Sequence, residues 1–260
     1  AHLERVAADE PMRVTAEAEF ALEEGRFQEA LGALARLPRK HTAALKLELK
    51  ARQQARQWDA VLALIAELQK RNAYDGQRAA QLRRFALAES LKRKALDARA
   101  LEEAWEKLPR EERADARLAL TAAQCFHALG ASARARRVIE EALEAGWSSE
   151  LVALYAECDG GEARARIERA EQWLKSHPRD AALLLTLGRL CARQELWGKA
   201  RSYLDASIAI EPTYSAHLAA AQLEERLGNA ESARRHYRES LDLALAQLRA
   251  ASGGRRRTLL

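Results

Sequence analysis

The chain has 260 residues, 43 Lys+Arg against 38 Asp+Glu for a formal charge of +5, and 48% hydrophobic but only 5% aromatic residues. Twelve Gly and five Pro leave little punctuation for a strand-and-turn fold, and the excess of alanine, leucine, glutamate and arginine is the composition of long helices. The mild positive charge permits an acidic protein, an anionic lipid surface or nucleic acid as partner and selects none of them.

Three cysteines, Cys125, Cys158 and Cys191, show no CxxC spacing. That argues against a disulfide framework or a zinc site and fits a reducing compartment. No window approaches the roughly 18 unbroken apolar residues of a membrane-spanning helix. The chain opens Ala1-His2-Leu3, with neither an initiator methionine nor a signal peptide, and is expected to be a fragment of a longer protein.

In order, the chain reads as helix–turn–helix units. The first, Val14 to Pro38, turns at Gly25, and Phe27, Ala30 and Leu34 follow at helical spacing. The second, from about Ala43 to Leu68, has Trp58 where the first has Phe27. In both, an aromatic opens the second helix after a short polar turn. Residues Lys70 to Arg99 then hold nine Lys/Arg against three acids, an excess of +6. Asp75 and Gly76 mark a turn ahead of a long helix. Its charge fits a solvated face first, and a contact for anionic lipid or an acidic partner second.

The third unit closes with LEEAWEKLP, where Pro109 ends the run. The fourth, about Ala116 to Ala145, turns at Gly130. The fifth begins behind Ser148 and Ser149 as N-caps, breaks at Asp159-Gly160-Gly161 and resumes in IERAEQWLKSHP. The seventh turns at Leu227-Gly228-Asn229, with Ala233 and Tyr237 packing the return.

The sixth unit, Ala181 to Pro212, is the most complete. Leu184, Leu187, Gly188, Cys191, Ala200, Leu204, Ser207 and Pro212 fall where a tetratricopeptide repeat places its packing residues. Gly188 and Ala200 are small enough for two helices to approach closely, the leucines fill the seam, and Pro212 stops the second helix. The small residue early in each second helix gives the series Ala30, Val61, Ala104, Ala135, Ala170, Ala200 and Ala233. Its gaps are 31, 43, 31, 35, 30 and 33 residues, and all but one lie near the roughly 34-residue repeat period.

The pattern predicts an all-α fold. It is a right-handed superhelical solenoid of about seven tetratricopeptide-like helix pairs with a C-terminal capping helix over Leu241–Ala251. One domain is expected over residues 1–251, with a basic helical stretch at about 70–99 and a disordered basic tail over 252–260.

Three phrases stand out: LVALYAE from Leu151, EQWLKSHPRDAALLLTLGRLCARQELWGKARSYL from Glu171, and LAAAQLEERLGNAESARRHYRESL from Leu218. Together they resemble the HemY-type tetratricopeptide proteins of proteobacterial heme biosynthesis, most strongly across Leu151–Leu241. The resemblance implies a repeat domain attached to the inner membrane through an N-terminal anchor outside this sequence; the free thiols and the basic stretch favour a cytoplasmic face over a periplasmic one. It also implies an assembly or transfer role in tetrapyrrole metabolism, with heme-biosynthesis enzymes as partners, and brings no catalytic residue. The flavin-dependent oxidase that shares the name is not implied, because no GxGxxG is present.

No GxSxG, HExxH or P-loop appears either, so no catalytic function is expected. Heme ligation needs a reachable His or Cys beside an apolar slot. Cys191 and His177 are the candidates. Cys191 occupies a packing position, where a buried thiol is the first reading. His177 precedes Pro178 at a helix end, where capping or exposure is the first reading. Cys158, one residue before Asp159-Gly160, is expected to be more exposed. The tryptophans are read as core rather than as base-stacking platforms, so no nucleic-acid partner is expected.

A groove is better motivated. First helices line the concave face of stacked repeats, and on that geometry Lys46, Lys50, Arg93, Arg117, Gln124, His127, Arg189 and Arg193 project inward. Such a basic surface suits carboxylates, on a peptide, an acidic protein or porphyrin propionates. The leading function is a membrane-tethered scaffold for pathway enzymes with no resident cofactor. The alternative is a direct heme or porphyrin carrier.

Overall fold

The computed structural model describes the backbone of residues 2–159 and 162–257 and the side chains of 10–159 and 162–251. Among the described residues every regular element is an α-helix. The chain divides into two compact units, Ala1–Lys107 and Leu108–Leu260, where one domain was expected. The first unit holds α1 (His2–Glu23), α2 (Phe27–Ala35), α3 (Thr42–Gln54), α4 (Trp58–Lys70), α5 (Gly76–Lys94) and α6 (Ala98–Glu106). The second holds α7 (Arg110–Arg113), α8 (Ala116–Ala128), α9 (Ser132–Ala145), α10 (Ser149–Tyr155), α11 (Ala163–Ser176), α12 (Ala181–Arg193), α13 (Trp197–Ile210), α14 (Tyr214–Arg226) and α15 (Ala230–Arg257).

Apart from the single-turn α7, these form helix pairs in chain order: α1/α2, α3/α4 and α5/α6, then α8/α9, α10/α11, α12/α13 and α14/α15. Within each unit successive pairs stack on one another, as α14 packs on α12, α13 and α15; the short α10 packs on α8, α9 and α12 rather than on α11. The chain is therefore all-α and built of tetratricopeptide-like pairs. The final helix continues to Arg257, through the start of the stretch expected as a tail. Residues 258–260, and Gly160-Gly161 at the expected break, lie outside the described residues.

Two kinds of turn alternate. First helices are entered through side-chain caps: His41, Asp75, Asp115, Ser148, Asp180 and Thr213 each accept from a backbone N–H of the first turn. Second helices α2, α4, α9 and α13 have no such cap. They follow a tight reversal in which one residue takes the left-handed conformation: Gly25, Arg56, Gly130, Glu195 and, before α15, Gly228, with φ of 54° to 77°. The flanking bonds form the Schellman pattern, for example Leu196 N–H to Cys191 O at 3.0 Å and Glu195 N–H to Ala192 O at 3.3 Å. Side chains other than glycine's cost about 1–2 kcal/mol in this conformation. Arg56→Gly and Glu195→Gly are therefore each expected to raise stability by about 1 kcal/mol, read as a higher urea midpoint at unchanged slope. A fall in midpoint would contradict the strain.

The core follows the repeat register. Relative to the start of each second helix, Ala30, Val61, Leu101, Ala135, Arg166, Ala200 and Ala233 are equivalent, with gaps of 31, 40, 34, 31, 34 and 33 residues. All of them are buried. Two of the sequence markers move: Leu101 replaces Ala104, which is only half-buried, and Arg166 replaces Ala170. Ala170 occupies the next turn instead, where Leu34, Ile65, Trp105, Ile139 and Leu204 stand in other pairs. Tyr237, expected to pack there in the last pair, is exposed, and its hydroxyl donates to Glu225 at 2.7 Å. Gly188 allows the close approach expected of it: a Cβ there would lie 2.6 Å from Leu204 Cδ2 and Cγ.

Candidate functional site: a basic cleft across α10, α12 and α14

The cleft grows from a short helix. Only seven residues long, α10 leaves its last carbonyls bare. Arginines from two later helices cover them. Arg166 of α11, buried to 5% exposure, donates to Tyr155 O at 3.1 Å and Ala156 O at 3.4 Å, and its guanidinium lies 5.7 Å over the Tyr155 ring. Arg193, in the last turn of α12, donates to Ala156 O at 2.6 Å and to Asp159 Oδ1 at 2.7 Å. Glu157 and Asp159 thus stand beside three guanidiniums, those of Arg166, Arg193 and Arg189.

Against this edge opens a cleft of about 300 Å³. Glu157 just beyond α10, Arg189 and Arg193 of α12, and Gln222 and Arg226 of α14 supply its polar wall, while Leu218 and Leu223 are among its apolar lining. The Arg189 side chain is 27% exposed, and its nearest acid, Glu157, stands 3.7 Å away, at the loose end of an ion pair. Burial pushes the Arg189 pKa down; Glu157 opposes that shift and the neighbouring Arg193 adds to it. Arg226 is exposed and makes no hydrogen bond or ion pair among the described residues. An incoming carboxylate would relieve a charge that the protein itself only partly balances.

The eight groove residues named from sequence are divided between the two units. Lys46, Lys50 and Arg93 belong to the first unit; Arg117, Gln124, His127, Arg189 and Arg193 belong to the second. Lys46 lies 5.4 Å over the Tyr74 ring and Lys50 is exposed. Arg93 donates to Arg56 O at 2.7 Å. It is a tie to the end of α3, as Arg193 is to the end of α10. Arg117 and Gln124 are exposed on α8, and His127 shares a 3.1 Å hydrogen bond with Ser132 across the α8–α9 turn.

Gln222 and Arg226 escaped the sequence reading. They stand relative to Gly228 as Arg189 and Arg193 stand relative to Glu195, so carrying that register into the seventh pair would have found them. The basic stretch 70–99 is largely consumed within its own unit. Arg71 pairs with Glu67 and Lys40 O, Lys92 with Glu89, Lys94 with Asp59 and Arg99 with Glu103.

Cys191 is fully buried, as its packing position implies, and burial pushes its thiol pKa up to about 11. Cys158, expected to be more exposed, is equally buried, with its thiol also raised to about 11 by burial. The residues around it explain why: Tyr155, Ala156 and Arg166 close over the end of α10. His177 caps α11 and stacks on Trp147, centroids 3.8 Å apart. Trp147 Nε1–H and Ser149 Oγ–H both donate to Asp180, at 2.8 and 2.6 Å. Burial works against the Asp180 carboxylate, but these bonds and the Leu183 N–H outweigh it and hold its pKa below the usual range. This cluster locks the α9–α10 and α11–α12 corners together. Among the described residues no group of three or more His, Cys, Asp or Glu is placed to hold a metal, and no helix is long and apolar enough to cross a membrane.

The paired helices, their left-handed turns and the close Gly188 approach define the class: a tetratricopeptide-type helical-repeat protein. No family model matches the chain, and no curated protein sequence does. Among solved structures, MamA is similar at 16% identity and a TM-score of 0.45, over 62% of this chain and 96% of that one. Human IFIT1, a dimer with PPP-AAAA, is similar at 15% identity and a TM-score of 0.46, over 86% of this chain and 58% of that one. Both scores lie below 0.5, and the class rests on the chain's own helix pairs.

Proposed function

We propose that this chain is a non-enzymatic adaptor that docks an acidic segment of a partner protein in the cleft across α10, α12 and α14. The observation that carries this reading is Arg189, a largely covered guanidinium with Glu157 at 3.7 Å and Arg193 beside it. An acidic segment supplies the missing countercharge, while the half-buried Leu218 receives an apolar side chain of it. The resemblance to HemY-type proteins supports the finer reading. On it the chain is the repeat domain of an inner-membrane protein, the partners are heme-biosynthesis enzymes, and the repeats face the cytoplasm.

The test pairs two substitutions that leave the arginine-to-carbonyl ties of the fold intact. Arg189→Glu with Arg226→Glu is expected to weaken capture of heme-pathway enzymes from membrane extracts at least about tenfold, about 1.4 kcal/mol, while the thermal melt stays in place. Arg193→Glu is expected to lower the melt, because it uncaps α10. Unchanged capture by the Arg189/Arg226 variant would overturn the docking role of the cleft. Hemin titration addresses the carrier alternative, in which the same arginines pair porphyrin propionates. A stoichiometric Soret shift lost in that variant favours the carrier; the absence of a shift, with enzyme capture intact, favours the adaptor.

A further inference from the structure

The first and last pairs each expose a face that internal pairs bury. Phe20 of α1 stands, relative to its left-handed turn residue, where Ala51, Leu190 and Leu223 stand in α3, α12 and α14. Those three are at most 3% exposed, whereas Phe20 is 56% exposed. One turn earlier, Ala16 is exposed where Thr186 is buried and bonded to Val152 O of the preceding first helix at 2.9 Å. Met12, a further turn back, is 72% exposed. This stripe is the surface with which an internal first helix packs on the pair before it.

The opposite surface is bare on the last pair. Internal α12 and α13 both receive α14, but among the described residues no helix follows on α14 and α15. Leu241 is 59% exposed where its counterpart Ile208 is half-buried, and Leu245 and Leu248 continue the stripe at helical spacing. Charge favours joining the two. The described part of α1 carries Glu10, Glu17, Glu19 and Glu23 against Arg13, and α15 carries Arg234, Arg235, Arg238 and Arg249 against Glu231, Glu239 and Asp242.

We propose that two copies of this chain associate head to tail, α1 of one stacking on the α14/α15 pair of the next in the way successive pairs stack within a unit. Such an interface is heterologous, so repeated association gives a closed ring or an open chain rather than a symmetric dimer.

Sedimentation velocity on the 260-residue chain tests it. The sedimentation coefficient is expected to rise with concentration, and Phe20→Lys and Leu241→Lys are each expected to remove that rise. Mixed in equal amounts, the two variants retain one intact face of each kind and are expected to form a dimer and stop there. Either position is exposed in the single chain, so melts should match the parent. Should one variant melt early, Met12→Lys or Leu248→Lys at the more exposed positions replaces it. A chain that sediments as a monomer at every concentration overturns the proposal. So does a Phe20→Lys variant that associates like the parent, which would signal a symmetric contact through α15 alone.

Discussion

Arg166→Ala is expected to destabilise the second unit by about 2–4 kcal/mol, although it installs the alanine that repeat periodicity favours at that position. Arg166 does two jobs. Its stem adds buried volume one turn before Ala170, which is small where other pairs carry Leu34, Ile65 or Leu204. Its guanidinium covers Tyr155 O and Ala156 O at the end of α10. Alanine removes both, leaving a void and a carbonyl, Tyr155 O, with no other donor among the described residues. Arg166→Met separates the two contributions: it keeps most of the volume, loses the donors, and should cost about 1–3 kcal/mol. The readout is the urea midpoint of the second unit, followed through the buried Tyr155 and the half-buried Trp173, whose rings meet edge to face at 5.0 Å. An Arg166→Ala midpoint at or above that of the parent would show that α10 ends without needing the arginine.

That arginine also marks where the sequence stops being readable. The pairs themselves were legible, because small residues, leucines and turn signals recur together and several local preferences agree. The register failed at Ala104 and Ala170. At each, an alanine lies a few residues past a larger residue that takes the equivalent place, and a search for small side chains prefers the alanine. Leu101 and Arg166 are recognisable only by counting from the helix start. The sixth pair was legible from its packing residues, but the left-handed backbone at Glu195 was not, since glutamate gives no sign of the strain that Gly25, Gly130 and Gly228 avoid.

The cleft was half legible for a related reason. A position on a helix face can be read from spacing, whereas the carbonyl that Arg93 or Arg193 reaches belongs to another pair, 37 residues earlier. Groove-facing and end-capping arginines look alike until that partner is known. Cys158 was misplaced because the Asp159-Gly160 sequence signals a turn, and a turn suggests exposure, whereas Cys158 itself is buried.

Gly188→Val is expected to cost about 3 kcal/mol or more, above the usual range for one or two added methyl groups in a packed core. The neighbours set that figure. A Cβ at 188 meets Leu204 Cδ2 and Cγ at 2.6 Å and Ala200 O at 3.4 Å, and Leu204 is 1% exposed. The contact is with the branch point of the leucine as well as its tip, so α12 and α13 must move apart. Gly188→Ala meets the same obstacle with one methyl group, at about 1–3 kcal/mol, against which about 1 kcal/mol of helix propensity is regained. Gly32→Ala is the control: it lies within α2, a Cβ there meets nothing within 4 Å, and the propensity gain should appear alone as a rise of up to about 1 kcal/mol. If Gly188→Ala stabilised the protein as Gly32→Ala should, close approach would not be the reason for the glycine. Arg189 is the next residue on α12, so a pair prised apart at 188 also displaces the central guanidinium of the cleft. Gly188→Val should therefore lose partner capture and stability together, whereas Arg189→Glu with Arg226→Glu should lose capture alone.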